Sequence, residues 1–306
     1  MITRSKPLVY LDQNIIGLIV NKEINIKPSD EFIFAYSKEH FREIHRSNNP
    51  QLYLNALHQI DAKLLDLELD QNWKITGKAI IKESGTPTEL YSEYLDAISD
   101  VDLSEDIFDS FLAWVNGGGD KESLECLPDI ISEQIFEITK DLTNSHAELN
   151  DELAHITPDF KGVINDLIEN GNDIIKTRSA LGNDKGEVGS VLGENIIEKI
   201  WCIIQPSSGG LTCDEFFGFN PKDKQGYDTW PMYLGIVGSC AVMDIIGYQA
   251  EKKCRKIDKL PNVRSDSGHI GMGAFCSLVV SKDKRLVKRA NAIYKYKGIN
   301  SSATVL

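Results

Sequence analysis

Four acidic residues stand where chemistry is easiest to place in an α/β chain. Asp12 closes the apolar run Leu8-Val9-Tyr10-Leu11, and a four-residue run ended by Asp12-Gln13-Asn14 suits a buried central strand. Ligand sites in open α/β sheets gather beyond the carboxyl ends of the strands, where Asp12 would lie. Asp283 follows two residues after Ser281, the end of a second apolar run over residues 275–281. Asp266 heads a predicted small-residue helix running through Ala274, where the helix dipole favours an anion. Glu43 falls about two turns into a predicted helix over residues 38–47. Any one of the four is as readily a cap or turn residue. Gathered within a few ångströms, they would repel and raise one another's pKa values. A hard divalent cation, which prefers carboxylate and water oxygens, would relieve that repulsion.

The elements that must position these acids lie at the two ends of the chain. After the first strand, residues 15–20 resemble a helix start. Residues 31–36 predict a second strand, and Ser37 stands at a helix N-cap position with Glu39 in the first turn. Residues 232–250 predict an apolar helix, and Pro261 is expected to end the segment that follows. After Asp283 a basic amphipathic helix covers residues 284–296, Gly298 caps it, and residues 303–306 predict a last short strand. Strands alternating with helices imply a parallel α/β sheet. Between these ends the texture changes. Leu52, Leu57, Ile60, Leu64 and Leu67, then Ile130, Ile131, Ile135 and Ile138, then Ile164, Leu167 and Ile168 follow helical spacing. No repeat of fixed period appears. The expectation is a core built from residues 1–49 and 226–306, interrupted by a mainly α-helical insertion over residues 50–225.

The segments "LVYLDQN", "FAYSKEHFREI", "RSDSGHIGMGAFC" and "LVVSKDKRLVKRANAIYKYKGI" occur in that order. Together they resemble the PIN-like domain family. There an Asp ends the first strand and a Glu lies on the helix after the second. A further Asp heads a helix leading to a small-residue turn, and a strand then delivers "[T/S]-x-D" before a helix and "G-[I/V]". The resemblance covers roughly residues 7–49 and 230–306, not the middle. It implies a PIN-like parallel sheet flanked by helices and a Mg²⁺- or Mn²⁺-dependent nuclease. Asp12, Glu43, Asp266 and Asp283 would form its acidic site, with Asp12 and Asp266 the most direct ligands. One or two such ions can lower the pKa of a bound water and clamp a scissile phosphate. Glu39 shares a helix face with Glu43 one turn away, but Glu43 matches the family spacing better.

Around the acids, Asn14, His269, Ser281, Lys282, Lys284 and Lys288 are candidate substrate contacts. His269 lies three residues after Asp266, so it either looks into the cleft or packs between helices. Asn14 and Ser281 suit hydrogen bonds to carboxylate or phosphate, and equally suit turns. Lys282 and Lys284 flank Asp283, and helical spacing puts Lys288 on the face of Lys284 and Arg289 on that of Arg285. Other constellations fail on spacing. His40 and His45 do not make H-E-x-x-H, and Ser207-Ser208-Gly209-Gly210 lacks the Lys of a P-loop. Gly268, Gly271 and Gly273 reverse the order of a dinucleotide fingerprint and fit close helix packing better.

The formal charge is −13, which excludes a surface coated with Lys and Arg that grips nucleic acid at long range. It leaves room for a nuclease, because a carboxylate site is itself acidic. Six cysteines without a C-x-x-C pair read as reduced thiols. No apolar run reaches the ~18 residues of a membrane span, and no signal-peptide core follows Met1. The expectation is a cytoplasmic protein with no membrane contact. The substrate implied by the resemblance is RNA, with a DNA or flap-type nuclease as the alternative. The competing class is a non-catalytic interaction protein whose insertion is its working surface. A third arrangement is a toxin or defence nuclease restrained by a protein partner through the insertion.

Overall fold

The computed structural model describes residues 6–98, 103–118, 121–129, 148–180, 187–250 and 255–306. In chain order they form β1 (Leu8–Leu11), α1 (Gln13–Val20), β2 (Ile33–Tyr36), α2 (Lys38–His45), α3 (Pro50–Gln59), β3 (Lys63–Leu69), β4 (Ile75–Ile81) and α4 (Pro87–Ile98). Next come α5 (Leu103–Val115), α6 (Lys121–Glu125), α7 (Glu148–Ala180), α8 (Ile196–Ile204) and α9 (Cys213–Phe216). The last are α10 (Met232–Ile246), α11 (Leu260–Gly273), β5 (Leu278–Ser281), α12 (Lys284–Lys297) and β6 (Ser302–Val305).

The fold is α/β. One six-stranded sheet runs in the order β4-β3-β2-β1-β5-β6. Every neighbouring pair is parallel except β3 and β4. Central β1 pairs on both sides, Val9 standing opposite Phe34 of β2 and Leu278 of β5. That two-sided burial is why its sequence is continuously apolar. On one face, Ile15, Ile16 and Ile19 of α1 pack with Phe41 and Ile44 of α2 and Leu54 and Leu57 of α3. Burying a side chain of this size contributes about 1.5–3 kcal/mol, so this cluster holds α1 and α2 firmly against the ends of β1 and β2.

Several boundaries depart from the expectation, each for a physical reason. Residues 63–81 are not helical. They form a hairpin, β3 and β4, that extends the core sheet. The run Leu57, Ile60, Leu64, Leu67 straddles a turn: α3 ends at Gln59, and Leu-Asp-Leu-Glu-Leu beyond it alternates with period two. Pro261 does not end a segment. It lies in the first turn of α11, where a proline removes no helical hydrogen bond. Asp266 consequently sits midway along α11, beyond the reach of the N-terminal dipole. Gly298 takes φ +63° as the C-cap of α12, as its position predicts.

The chain divides into two compact units, one of Met1–Ser99, Asp184–Ala250 and Asn262–Leu306, the other of Asp100–Asn183 and Glu251–Pro261. The first contains the whole sheet, so the interruption is shorter than residues 50–225. Within the second, Leu124 and Leu127 pack on Ile164 and Ile168 of α7, with Phe111 and Trp114 of α5 against them. Gly171 permits this approach, because a Cβ there would meet the Trp114 ring. The helical run at Ile130, Ile131, Ile135 and Ile138 lies outside the described residues. Among the described residues no helix is long and apolar enough to cross a membrane.

Candidate active site

Three adjacent parallel strands, β2, β1 and β5, deliver Ser37, Asp12 and Ser281 to the same end of the sheet. Asp12 continues the ladder through its backbone, its N–H donating to the Val280 carbonyl at 3.0 Å. The residue is 3% exposed. Oδ2 accepts from Ser281 Oγ at 2.6 Å and from Asn14 Nδ2. Asn14 also donates to Ser281 Oγ at 3.1 Å and accepts from the Lys282 N–H at 2.9 Å. Asn14 and Ser281 therefore hold one oxygen of Asp12 and leave Oδ1 facing the helices. Burial raises the Asp12 pKa, helped by the Glu43 charge and partly offset by His269 and Ser281.

His269 on α11 faces this oxygen and, through the same nitrogen, Glu43 on α2. His269 is fully buried, with Nε2 3.3 Å from Glu43 Oε1 and 3.7 Å from Asp12 Oδ1. Its other nitrogen, Nδ1, lies 2.8 Å from the Tyr10 hydroxyl, which lies 2.7 Å from Ser37 Oγ. Burial alone would lower the His269 pKa. The Glu43 hydrogen bond and the charges of Asp12, Glu43 and Glu39 outweigh it and raise the pKa to about 9. Asp266, one helical turn earlier and half-buried, is raised well above the carboxylate range by burial and then by the charges of Asp12 and Glu43. Arg289 and His269 oppose that rise.

The approach of α11 to α2 depends on Gly268, since a Cβ there would come within 2.4 Å of Glu39 Cδ. Glu39 is itself held by the Tyr233 hydroxyl at 3.2 Å and by Arg42 at 3.3 Å. Of the two glutamates on this face, Glu43 reaches His269 while Glu39 serves the helix packing.

Asp283 is placed differently from the other three acids. It commits Oδ1 to the N-terminus of α12, accepting from the N–H groups of Arg285 at 2.6 Å and Leu286 at 3.3 Å. It is tied to the site through its backbone, its N–H donating to Ser281 Oγ at 2.9 Å. The basic stretch also divides. Lys282 and Lys284 are exposed and line a cavity of about 490 Å³ with Asn14, Asn21 and Asp283. Lys288 lines a separate depression of about 380 Å³ beside Glu194 and Tyr296. Arg289 is not a surface cation at all. It is fully buried, with Nη1 3.1 Å from both carboxylate oxygens of Asp244 on α10.

Sequence reasoning gave Tyr10, Ser37 and His40 no part in the site. His40 occupies the third helical position, where a capping box carries Glu or Gln. Its Nδ1 accepts from the Ser37 N–H at 3.1 Å, and its Nε2 donates to the Leu11 carbonyl at 2.6 Å. Those two backbone partners fix a neutral tautomer, and burial lowers its pKa well below the usual value. His40 thus locks the end of β1, one residue before Asp12, to the start of the helix carrying Glu43. The available signal was the S-x-x-H spacing at a predicted N-cap. For Tyr10 it was a buried strand tyrosine whose hydroxyl requires a partner.

Carboxylate oxygens are the donors that a hard divalent cation prefers. Burial raises the pKa values of both Asp12 and Asp266; the Glu43 charge adds to both, and the Asp12 charge adds to that of Asp266. Among the described residues no group of three or more His, Cys, Asp or Glu side chains is placed to hold a metal ion by itself. An ion such as Mg²⁺ keeps several of its own waters and needs only one or two carboxylates from the protein. No family model, no curated protein and no solved structure matches this chain.

Proposed function

We propose that the protein is a PIN-like, Mg²⁺- or Mn²⁺-dependent nuclease acting on RNA. The observation that carries this reading is the meeting of Asp12, Glu43 and Asp266, from three distant segments, beyond the carboxyl ends of adjacent parallel strands. In this reading Asp12, Glu43 and Asp266 hold the cation, and Asp283 supports the rim. A bound cation would supply an activated water and charge stabilisation at the phosphate. Ser281 and Asn14 orient Asp12 by fixing one of its oxygens. Lys282 and Lys284 offer positive charge to the phosphate backbone beside the acids, which a chain at −13 requires locally. The preference for RNA rests on the family resemblance, with a DNA or flap-type substrate as the alternative.

The test is cleavage of a panel of RNA and DNA with Mg²⁺, Mn²⁺ or EDTA. Metal-dependent cleavage, RNA before DNA, is expected. Cleavage undiminished by EDTA overturns the mechanism. Neither cleavage nor Mn²⁺ binding overturns the reading and leaves a protein that acts by binding partners.

A further inference from the structure

We infer that Trp73, at the tip of the β3–β4 hairpin, is a stacking platform for the bases of single-stranded RNA. The inference rests on the nucleic-acid reading above and not on a bound cation. Trp73 is 84% exposed, the most exposed large apolar side chain among the described residues. A single exposed apolar side chain is ordinary. This one is also held at φ +60°, the left-handed region that bulky residues seldom adopt and that glycine or asparagine takes more easily. Folding gains nothing from either the ring or its backbone, a local departure of the kind that functional sites show. The turn fixes that backbone firmly. Asp70 Oδ1 accepts from the N–H groups of Asn72 at 2.8 Å and Lys74 at 2.9 Å, and its carbonyl accepts from the Trp73 N–H at 3.1 Å.

The hairpin rises from the end of the sheet that carries the acids. β3 is parallel to β2 with Leu64 opposite Tyr36, and Asp12 and Ser37 directly follow β1 and β2. From Leu64, β3 runs on to Leu69, about 16 Å beyond that level at ~3.3 Å per residue. A second tether agrees. Lys74 donates to the Gly226 carbonyl at 2.5 Å and lies 5.3 Å from the centre of the Tyr227 ring. Gly226 permits this, because a Cβ there would come within 2.9 Å of the ammonium. The same segment continues to Tyr233, whose hydroxyl donates to Glu39, one turn before Glu43 on α2. At ~3.6 Å per residue, Gly226 to Tyr233 spans no more than about 25 Å, so one short strand can touch both the tip and the acids. The hairpin is not a basic groove: Asp66 answers Lys38 at 2.8 Å, and Glu68 accepts from the Thr76 hydroxyl at 2.6 Å. What it offers a polyanion is an aromatic plane. Every base has a π-face, so stacking needs neither sequence nor long-range attraction, which suits a chain at −13. Bases within a duplex already stack on one another, hence the single strand.

The test is fluorescence anisotropy of a labelled single-stranded RNA, and of a duplex of the same sequence, titrated with the full chain in EDTA across a salt series. Trp73→Gly removes the ring and suits the left-handed backbone, so the variant should fold with an unchanged melting temperature. It should weaken single-strand binding by roughly 5- to 150-fold. Duplex binding and the log-log salt slope should not move, because no phosphate contact is lost. Trp73→Tyr, which keeps a ring, should retain most of the affinity. Single-stranded RNA should also quench the indole fluorescence of the wild-type chain, and Trp73→Gly should remove that quench. Equal single-strand affinity of the wild-type and Trp73→Gly chains overturns the inference and assigns the ring to a protein partner, while metal-dependent cleavage would leave the nuclease reading standing. Trp73-dependent binding without cleavage sustains the inference and overturns that reading. No RNA binding by the wild-type chain overturns the inference.

Discussion

Two strand-to-helix junctions lie side by side in this molecule, and they use the same residue in opposite ways. Asp12 follows β1 and Asp283 follows β5, and each is the N-cap of the next helix. Asp283 does what an N-cap aspartate ordinarily does, accepting two backbone N–H groups of α12. Asp12 makes no side-chain cap bond to α1. Ser281 and Asn14 hold it instead, and its other oxygen faces His269. An acid withheld from the helix it could stabilise, and kept in a poorly hydrated place, departs from local optimality in the way functional sites do. Position after a strand therefore does not separate a site residue from a cap. What separates them is the destination of the carboxylate.

The sharpest way to break this contrast is to neutralise each acid. Asp12→Asn or Asp266→Asn should reduce metal-dependent RNA cleavage by orders of magnitude, because the amide keeps the shape and loses the charge that holds the cation. Asp283→Asn should leave most of the activity. Equal loss in all three variants would make Asp283 a full member of the site. Next in size is the anchoring of α12, which the buried Arg289–Asp244 pair provides more strongly than the cap. Asp244→Asn removes a buried carboxylate that accepts from Arg289 through both oxygens, and should cost up to about 3–5 kcal/mol in denaturant unfolding.

The buried junction also predicts an unusual pH response. The His269 pKa rises from 6.5 to about 9 on folding, so its stabilisation is full below pH 6.5 and is lost as pH climbs to about 9. Asp12 and Asp266, with raised pKa values, act in the same sense, since folding favours their protonated forms. The melting temperature in EDTA should therefore fall across that window, and the His269→Gln protein should lose most of the fall. A melting temperature that rises from pH 6.5 to 9 would contradict the assignment. At the exposed junction effects should be small. Asp283→Ala should lower stability by about 1 kcal/mol through removal of the cap. Lys282→Ala with Lys284→Ala should flatten the log-log salt dependence of RNA binding by roughly one unit for each phosphate no longer neutralised. An unchanged slope would move the substrate path elsewhere.

How far the amino-acid order alone reached follows the same physics. Asp12 and the strands β1, β2 and β5 were legible because parallel strands paired on both sides leave a nearly continuous apolar signature. Glu43 was legible by its spacing from the Ser37 cap. The β3–β4 hairpin was not, because Leu64 and Leu67 satisfy helical spacing when joined to leucines before the turn. Arg289 was misread because helix periodicity assigns faces and not partners. Asp244, a lone acid in an apolar helix, was the clue that some buried cation had to answer it. The Ser37–Tyr10–His269 chain was out of reach, since its members stand up to 259 positions apart.

That separation carries a consequence for how the protein is made. Ser281, which fixes the orientation of Asp12, lies 269 positions after it in the chain. A ribosome adding roughly 5–20 residues per second needs from about a quarter of a minute to about a minute to supply it. Throughout that interval β1 has β2 beside it and nothing on its other flank, an open strand edge of the kind that invites mispairing. For the same interval the acids exist as separate fragments. On the proposed reading, a nascent chain would hold no assembled acidic site until the segment carrying Ser281 docks beside β1.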